Sequence, residues 1–363
     1  MNERVLVAMS GGVDSSVAAL RLQKQGFDVV GVTLHLWDYP DDGDPKSRCC
    51  APEDVHDARR VADVLGFPHY AFDRRQLFAA EVVNPFVEAY LEGETPSPCV
   101  RCNRGVKLNE LFHLADRLGA QRVATGHYAR VVEREGRHEL WRARDANKDQ
   151  SYFLHTLSEE RLQRLVFPLG DAQKSEVRDE ALSAKLPGAA KGESQELCFV
   201  SNGRYDAFVA ERAHGRVRPG PIVDEAGRVV GTHAGIHGFT VGQRKNLGVA
   251  LGQRAYVSAI DADTATVHLK SGDALSFWGA AVDELTLFGS VSLPMRCEVQ
   301  VRYRGKPIAA EVRATSTGAL VRFDAAVSAV SKGQYAVFYA GERVLGGGRI
   351  SEALNKPPGE VAA

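Results

Sequence analysis

The feature that most constrains the fold is an apolar run that passes directly into a glycine- and serine-rich loop and then into a helix. Arg4–Met9 reads RVLVAM, which is typical of a buried strand, and Ser10–Ser16 (SGGVDSS) follows without a gap. The paired glycines let the backbone turn sharply and approach an anion closely. The N–H groups at the start of the next helix, predicted over Asp14–Gln25, then face that anion. The sequence therefore predicts a phosphate-binding loop.

This loop lacks the lysine that a Walker-type loop requires, which disfavours a kinase-like or GTPase-like site. The run SGGVDSS resembles instead the PP-loop of the ATP pyrophosphatases. Members of that class cleave ATP to AMP and pyrophosphate while they adenylate an oxygen atom of a substrate. The resemblance indicates the class of chemistry and leaves the substrate open.

Strand patterns alternate with helix patterns along the first part of the chain. The strand patterns cover Arg4–Met9, Asp28–Leu34 and Arg122–Thr125, and the helix patterns cover Asp14–Gln25, Glu53–Leu65 and Val106–Leu118. Such an alternation predicts an α/β fold, with a parallel sheet and helices on both of its faces. Two stretches break the pattern, residues 37–52 and residues 84–104. We expect both to be irregular loops, the second because Pro85, Pro96 and Pro98 interrupt it.

Short strand patterns separated by glycine-rich turns replace the helix patterns after about residue 200. The clearest cover Arg254–Ile260, Thr266–Leu269, Cys297–Tyr303, Ala309–Val312, Ala319–Phe323 and Tyr335–Tyr339. This change predicts small β-rich domains, the last of them a barrel. We therefore expect a PP-loop catalytic domain over residues 1–202, a central β-rich domain over 203–284 and a C-terminal β-barrel domain over 285–363.

Charge and composition exclude several other classes of protein. The 45 Lys and Arg residues nearly balance the 46 Asp and Glu residues, so the chain is not a globally basic nucleic-acid coat. Six cysteines in 363 residues are too few for a disulfide framework. The chain has no run of about 18 apolar residues, and its start lacks a secretory signal pattern. We therefore expect a cytoplasmic protein with no membrane segment.

Clustered cysteines in such a protein are candidates for chemistry. Cys99 and Cys102 form a CxxC motif in the proline-stiffened loop TPSPCVRCN, a spacing shared by zinc, redox and iron–sulfur sites. Structural zinc is disfavoured because no second CxxC or close His pair accompanies the motif. The adjacent pair Cys49-Cys50 seldom suits two ligands of one tetrahedral ion, and we expect these two residues to have no chemical role.

The remaining cysteines are ambiguous when each is taken alone. Cys198 lies in the apolar run SQELCFV, where a lone cysteine is most often a small buried hydrophobic residue, and Cys297 lies in a strand pattern and is expected in the core. Arg101 and Arg104 flank the CxxC motif. Because nearby positive charge lowers the pKa of a thiol, we expect these arginines to stabilise a thiolate there.

Several further motifs occur in a fixed order along the chain. They are the Cys49-Cys50 pair, TPSPCVRCN at 95–103, TGHY at 125–128, KDQSYF at 148–153, SQELCFV at 194–200, FTVGQRK at 239–245 and KGQ at 332–334. Together with SGGVDSS they resemble the tRNA-specific 2-thiouridylase family over nearly the whole chain. The resemblance implies a tRNA-uridine 2-sulfurtransferase. Such an enzyme adenylates the oxygen on carbon 2 of the wobble uridine and then replaces it with sulfur, giving 2-thiouridine, AMP and pyrophosphate.

The resemblance also implies roles for individual residues. ATP would be bound by Ala8, Met9, Ser10, Gly11, Gly12, Val13, Asp14 and Ser15, with Leu34 and Gly126 lining the adenine and ribose pocket. Cys102 matches the nucleophile of the family, and Cys198 matches the cysteine that carries the persulfide, so a disulfide between the two is expected during turnover. The target base would meet Ser97, Pro98 and Cys99. The tRNA would contact His127, Lys148, Asp149, Gln150, Arg302, Tyr303 and Gln334.

The implied cofactors and partners are ATP, Mg²⁺, a persulfide donor protein and the tRNAs for glutamate, glutamine and lysine, and we expect a monomer.

The chain departs from the family pattern at Ser97 and Cys99, where many relatives have Asn and Asp. Cys99 cannot contact the base or assist proton transfer as an aspartate would. Two versions of the sulfur chemistry stay open: persulfide transfer without a metal, which is favoured, and a 4Fe–4S cluster on Cys99, Cys102 and Cys198.

Two other classes of function compete with this interpretation. A PP-loop ligase that adenylates a small molecule would explain the phosphate loop, but it would leave Cys102, Cys198 and the β-rich half of the chain without a role. A non-catalytic RNA-binding protein that has kept a nucleotide-binding fold is disfavoured, because the phosphate loop is complete, with all its serines and Asp14.

Overall fold

The computed structural model describes residues 2–38, 52–189, 197–200, 203–250, 252–271, 275–289 and 291–355. The chain divides into two compact units. The first unit comprises Met1–Val83, Cys99–Gly203 and Glu342–Val344, and the second comprises Asn84–Pro98, Arg204–Gly341 and Leu345–Ala363. None of the described helices has the length and apolar character needed to cross a membrane.

Helices and strands are numbered in chain order. Those up to residue 183 are β1 (Arg4–Ala8), α1 (Val13–Lys24), β2 (Asp28–His35), α2 (Pro52–Leu65), β3 (His69–Asp73), α3 (Arg75–Phe78), α4 (Asn84–Leu91), α5 (Pro98–Arg101), α6 (Leu108–Arg117), β4 (Arg122–Ala124), β5 (Arg130–Arg134), β6 (Arg137–Trp141), α7 (Glu159–Arg164), β7 (Leu165–Val166) and α8 (Lys174–Ser183). Those that follow are α9 (Tyr205–Arg212), β8 (Gly220–Val223), β9 (Val229–His233), β10 (Ala255–Asp261), β11 (Thr266–Ser271), β12 (Phe277–Leu287), β13 (Met295–Gln300), β14 (Ile308–Thr315), β15 (Gly318–Val327), β16 (Tyr335–Ala340) and β17 (Arg343–Leu354). π-Helical segments lie at Ala79–Val83 and Cys102–Lys107, and 3-10 turns lie at Ser151–Leu154 and Ile236–Gly238.

Five parallel strands form the sheet of the first unit, in the order β3-β2-β1-β4-β7. Val5 of β1 lies opposite Val29 of β2 on one side and Arg122 of β4 on the other. Val5 and Leu6 are fully buried, as a parallel sheet covered by helices requires. The predicted α/β fold with a parallel sheet is confirmed. Each strand and helix predicted in this part of the chain lies within about two residues of its expected bounds.

Helix α1 is buried on two sides. Its residues Ala19 and Leu22 pack with Val61 of α2 and with the first strands of the sheet. Its residues Val17 and Leu20 pack with Val177 of α8 in a second apolar cluster. Burial on both sides fixes the position of α1, and therefore also the position of the loop that precedes it.

Residues 84–104 are not irregular throughout, so this prediction was wrong in part. Asn84–Leu91 forms α4, which continues directly from the π-helical segment Ala79–Val83, with Pro85 as its second residue. A proline inside a helix removes a backbone hydrogen bond and crowds the preceding turn, and here that turn is the wider, π-helical one. The other predicted loop, residues 37–52, lies mostly outside the described residues, and Cys49 and Cys50 lie outside them entirely.

The hairpin of β5 and β6 was not predicted from the sequence. The two strands pair from Arg130 opposite Trp141 to Arg134 opposite Arg137. The connecting residues Glu135 and Gly136 both have positive φ, 52° and 74°, as a tight hairpin turn requires. Charged residues along both strands obscure the apolar alternation that would predict a strand. The Glu135-Gly136 turn was the one sequence feature that could have indicated the hairpin.

The second unit contains two β structures. Strands β10, β11, β8 and β9 form a four-stranded sheet in that order, around a cluster that includes Val257 and Val267. Strands β12, β15, β14, β13, β16 and β17 form a six-stranded barrel, which the pairing of β12 with β17 closes. Val282 of β12 lies opposite Ala319 of β15 and Ile350 of β17. The predicted C-terminal barrel is confirmed.

Strand β17 was missed because it contains three consecutive glycines. A Cβ atom at Gly346 would lie 2.2 Å from the carbonyl oxygen of Thr286, and one at Gly348 would lie 2.5 Å from that of Asp283. The glycines allow β17 to approach β12 closely enough to close the barrel. Glycine lowers strand propensity, so the sequence pattern favoured a turn at this point.

Candidate active site

The phosphate loop joins β1 to α1 at the carboxyl edge of the parallel sheet. Helix α1 begins after Gly12, and no side chain of the described residues caps its first turn. The loop's serines fix its shape. Ser15 Oγ accepts a hydrogen bond from the Ser10 N–H (3.1 Å) and donates one to the Gly12 carbonyl (3.0 Å). The N–H groups at the start of α1 are left to face a ligand, which is the arrangement of an anion site.

Two glycines allow other chain segments to lie directly against this loop. Gly11 has φ of +71°, and a Cβ atom there would lie 2.5 Å from the carbonyl oxygen of Asp54. A Cβ atom at Gly126, just after β4, would lie 2.9 Å from the backbone nitrogen of Ser15. Leu34 is buried near the end of the neighbouring strand β2. Leu34, within β2, and Gly126, just after β4, therefore both lie at the carboxyl edge of the parallel sheet, where ligands of such sheets bind.

Lys174 brings a cation to the loop, and sequence reasoning missed it. Its side chain is 10% exposed, and Nζ lies 2.6 Å from Asp14 Oδ1. The Tyr128 hydroxyl donates to the same oxygen at 2.8 Å, and the Lys174 ammonium lies 5.8 Å from the centre of the Tyr128 ring. A buried ammonium at a loop of free N–H groups suits a phosphate ligand.

The backbone holds Lys174 in this position. Its N–H donates to Asp145 Oδ2 at 3.0 Å. The preceding Gln173 N–H donates to Glu176 Oε2 at 2.7 Å, which is part of the capping box that begins α8. The Lys174 side chain therefore extends to Asp14 from a well-defined helix terminus.

His127 follows β4 at the same edge of the sheet. Its Nδ1 lies 2.6 Å from Thr125 Oγ1, and the Phe167 ring packs edge-on at 6.1 Å. Burial, assisted by the positive charge of Lys107, lowers the pKa of His127 to about 3. The imidazole is neutral at physiological pH. The predicted contact of His127 with tRNA therefore has to be a hydrogen bond or a stacking contact rather than an ion pair.

Cys102 begins the π-helical segment Cys102–Lys107, and its side chain is buried. Burial raises the pKa of the Cys102 thiol, while the charge of Lys107 and a hydrogen bond from the Lys107 backbone N–H oppose that increase. A π-helical turn brings residues five apart into register, which is the spacing of this pair. Sequence reasoning missed Lys107 because an ordinary helix would bring Val106 beneath Cys102 instead.

The charge that lowers the pKa of Cys102 is that of Lys107. The expected role of Arg101 and Arg104 in stabilising a thiolate of the CxxC motif stays a prediction. Arg101 Nε donates to the carbonyl of Glu81 at 3.3 Å. Burial lowers the pKa of His155 to about 4, and the charge of the exposed Arg104 acts in the same direction.

Cys198 lies in a turn over residues 197–200 and not at the end of a strand. The next residue, Phe199, is buried, and its ring centre lies 6.3 Å from that of Trp37 and 5.7 Å from that of Phe78. Cys198 itself is partly exposed. This aromatic cluster anchors the turn that contains Cys198.

No three His, Cys, Asp or Glu side chains in the described part of the chain lie close enough together to hold a metal ion. Cys99 and Cys198 are partly exposed, and Cys102 is buried.

The predicted tRNA contact over residues 148–150 is a tightly bonded loop. The Asp149 carboxylate is buried and accepts hydrogen bonds from the Ser151 N–H (3.1 Å), the Ser151 hydroxyl (3.0 Å) and the Arg142 guanidinium (3.0 Å). Gln150 Oε1 accepts a backbone N–H at 3.0 Å, and Lys148 is partly exposed. Asp149 therefore holds the loop together.

The second unit holds the other predicted site residues. Ser97 and Pro98 are buried, Arg302 is exposed and Tyr303 is partly exposed. Gln334 Nε2 donates to two carbonyl groups in the segment that precedes Ser97. Cys297, on β13, is partly buried against the core of the barrel, and burial raises the pKa of its thiol to about 12.

Sequence comparisons agree with this description along the chain. Profiles described as a tRNA methyl transferase HUP domain, a tRNA methyl transferase PRC-barrel domain and an aminomethyltransferase beta-barrel domain match residues 3–202, 206–271 and 279–350. A protein of Sorangium cellulosum named tRNA-specific 2-thiouridylase MnmA is 62% identical over 357 residues, which are 97% of this chain and 93% of that protein. Proteins of the same name are 44% identical in Heliobacterium modesticaldum, over 98% of this chain and 94% of that protein, and 46% identical in Chloroflexus aggregans, over 96% and 98%.

A parallel sheet whose first strand leads through SGGVDSS into an uncapped helix defines a PP-loop protein built on a HUP domain. Within that class, the match to its relatives extends over the central and barrel regions as well. The chain belongs to the tRNA-specific 2-thiouridylase family, which confirms the resemblance noted from its motifs.

Proposed function

We propose that this chain is a tRNA-uridine 2-sulfurtransferase, which converts the wobble uridine of the glutamate, glutamine and lysine tRNAs to 2-thiouridine. Its relatives are named for a 2-thiouridylase activity on tRNA. The observation that carries the proposal is that one compact unit holds a phosphate loop with a buried lysine, Lys174, and a buried cysteine, Cys102, influenced by a second lysine, Lys107. A ligase for small molecules would need the phosphate loop with its lysine, but it would not need the buried cysteine.

In the first step, the oxygen on carbon 2 of the uridine attacks the α-phosphorus of ATP, and pyrophosphate leaves. Adenylation converts a poor leaving group into a good one. The N–H groups at the start of α1 and the Lys174 ammonium stabilise the charge that develops on pyrophosphate. Asp14, which is 36% exposed, would hold Mg²⁺ together with phosphate oxygens. When bound, the ion neutralises phosphate charge.

In the second step, the terminal sulfur of a persulfide on Cys198 attacks carbon 2, and AMP leaves with the electron pair of the C–O bond. The Cys102 thiolate then attacks the Cys198 sulfur. The persulfide S–S bond breaks, a Cys102–Cys198 disulfide forms, and the transferred sulfur stays on the base as the thiocarbonyl. A thiol reductant must then reduce the disulfide, and a persulfide donor protein must reload Cys198. Partial exposure of Cys198 fits reloading by a protein, and burial of Cys102 helps to exclude water, which would restore uridine.

The tRNA substrate must present its wobble base outside the anticodon stack. We propose that Arg302 and Tyr303 on the barrel, and His127 and Lys148 in the first unit, contact it. The exposure of Arg302 supports a phosphate contact. Arg302→Ala should therefore weaken tRNA binding and reduce the dependence of log Kd on log salt concentration by about one unit. Unchanged binding across a salt series would contradict this role.

The reaction can be tested by nucleoside mass spectrometry on unmodified glutamate tRNA, incubated anaerobically with the protein, Mg-ATP and a persulfide donor. We expect 2-thiouridine and AMP in equal amounts. The 2-thiouridine should be lost in Cys102→Ser and Cys198→Ser and retained in Cys297→Ser. Cys297 is the matched control because burial on the barrel raises the pKa of its thiol to about 12 and keeps it unreactive.

Three other outcomes would distinguish the alternatives. Activity that rises in proportion to bound iron and sulfide would favour a 4Fe–4S cluster on Cys99, Cys102 and Cys198 over the persulfide route, whereas full activity without iron would contradict the cluster. AMP release without thiouridine, with a competent donor present, would support adenylation and contradict the sulfur step. Pyrophosphate release that does not depend on tRNA would favour a small-molecule ligase and contradict the proposal.

A further inference from the structure

Residues 94–98, which end at the predicted target-base residues Ser97 and Pro98, are attached to the barrel strand ends within the second unit. The segment follows α4, and the Glu94 N–H donates to the Ala89 carbonyl at 2.8 Å. From there it meets residues 332–334, which precede β16. Both side-chain and backbone bonds hold it there.

The first attachment is ionic. The Glu94 side chain is only 9% exposed, with Oε1 at 3.0 Å from Lys332 Nζ and Oε2 at 2.9 Å from Arg349 Nη1. Arg349 is held in turn by Asp283, whose Oδ2 lies 2.8 Å from Nη2. A buried carboxylate is stable only when it is well paired. The two cations therefore fix the start of the segment.

The second attachment is through hydrogen bonds to the backbone. The Thr95 N–H donates to the Lys332 carbonyl at 2.8 Å. Gln334 Nε2 donates to the carbonyl of Thr95 at 2.8 Å and to that of Pro96 at 3.2 Å. Gly333 allows this contact, because a Cβ atom there would lie 3.0 Å from the Thr95 oxygen. An amide nitrogen carries two protons, so Gln334 uses both of its donors on this segment.

The segment depends on these donors because of its prolines. Pro96 and Pro98 have no N–H, so the segment cannot form a regular ladder with a strand. Its carbonyl groups still need partners, since the residues that carry them are buried or partly buried. The Gln334 side chain provides bonds that a backbone ladder would otherwise have made.

We propose that Gln334 is a positioning residue, which together with Glu94 sets the conformation of residues 94–98 for the target base. The inference rests on the proposed function, in which Ser97 and Pro98 meet that base. It differs from the expected role of Gln334 as a tRNA contact, because both protons of its amide nitrogen are used on Thr95 and Pro96 and only Oε1 is left to meet tRNA. The barrel then acts as the scaffold of the base-binding segment.

The test compares Gln334→Leu with the control Thr317→Leu, which changes an exposed turn of the same barrel. Hydrogen–deuterium exchange of a peptide covering residues 94–98 is measured on the substrate-free proteins, and kcat and tRNA Kd are measured in the thiolation assay. For Gln334→Leu we expect at least about tenfold faster exchange of the Thr95 amide. We expect kcat to fall about 10- to 100-fold, with tRNA Kd within about twofold of wild type, because a small misplacement mainly affects the reacting geometry. Glu94→Gln should accelerate exchange of the same amide.

An increase in tRNA Kd with unchanged exchange would overturn the proposal and assign Gln334 to tRNA binding. Unchanged exchange, kcat and Kd would overturn it as well. Failure of the proposed function is a separate result: the wild-type protein would then form no 2-thiouridine, whereas the exchange comparison, which needs no substrate, would still report whether Gln334 holds the segment.

Discussion

Lys174 Nζ and Asp14 Oδ1 lie 2.6 Å apart although 160 residues separate them in the chain. Asp14 belongs to the phosphate loop, and Lys174 begins α8, the last helix described in the same unit. The lysine that a Walker loop carries within its own sequence is here brought in by tertiary structure. The ammonium is paired with Asp14, which explains how a buried lysine is tolerated at this position.

Lys174→Met should lower kcat/KM for ATP about 100-fold in the tRNA-dependent release of AMP, because it removes a positive charge where pyrophosphate develops its own charge. Lys185→Met, which changes an exposed lysine just after α8, serves as the control. A kcat/KM within about twofold of that control would contradict a phosphate-binding role for Lys174.

Gly126→Ala should lower the free energy of unfolding by about 1–3 kcal/mol and weaken ATP binding. The new methyl group would lie 2.9 Å from the Ser15 nitrogen and would displace the start of α1. Urea unfolding and nucleotide titration measure the two effects. A Cβ atom at Gly238 would meet no described atom within 4 Å, so Gly238→Ala is the matched control. Equal effects of the two substitutions would show that the close approach at Gly126 is unimportant.

Lys107→Gln should slow the alkylation of Cys102 about tenfold at neutral pH in the substrate-free protein. Burial already raises the pKa of this thiol, and loss of the Lys107 charge raises it further, so less thiolate is present. The difference in alkylation rate should disappear at high pH, where the Cys102 thiol is fully ionised in both proteins. Lys107→Arg should retain the wild-type rate, and so should Arg104→Gln. If Lys107→Gln and Arg104→Gln slowed the alkylation equally, the arginine beside the CxxC motif would stabilise the Cys102 thiolate as strongly as Lys107 does.

Stability should fall between pH 7 and pH 5 through His127 and His155. Burial lowers the pKa of His127 to about 3 and that of His155 to about 4, below the value of about 6.5 in an unfolded chain. The unfolded state therefore binds protons first, and each histidine costs about 2 kcal/mol of stability by pH 5. Urea midpoints in His127→Gln should fall less with pH than in wild type. His214→Gln, at an exposed site, should match wild type. Parallel pH profiles for His127→Gln and wild type would contradict the buried, neutral histidine.

Asp149→Ala and Lys148→Gln should separate folding from tRNA binding in the loop that contains both residues. Removing the buried Asp149 carboxylate removes the hydrogen bonds that it accepts from the Arg142 guanidinium and from Ser151. The free energy of unfolding should fall by about 3 kcal/mol. Lys148→Gln should change stability by less than about 0.5 kcal/mol and raise the tRNA Kd. If Asp149→Ala raised the Kd with no loss of stability, Asp149 would be a direct tRNA contact.

Local patterns predicted much of the fold. The parallel sheet, the helices around it and the presence of a barrel followed from strand and helix patterns in the sequence, and the ordered motifs identified the family. Helix α4, the β5–β6 hairpin and β17 were missed. Proline, charged residues and glycine respectively obscured these elements. In each case a tertiary partner or a turn geometry determined the structure in place of intrinsic propensity.

The sequence by itself determined the phosphate loop, the order of the domains and the candidate cysteines, because these depend on residues that lie next to one another in the chain. Tertiary structure decided which charges meet those residues. Lys174 reaches Asp14, the π-helical turn brings Lys107 to Cys102, and Gln334 bonds to Thr95. Electrostatic and hydrogen-bond partners act over a few ångströms of space, and spacing along the chain does not specify which distant side chains folding brings within that range.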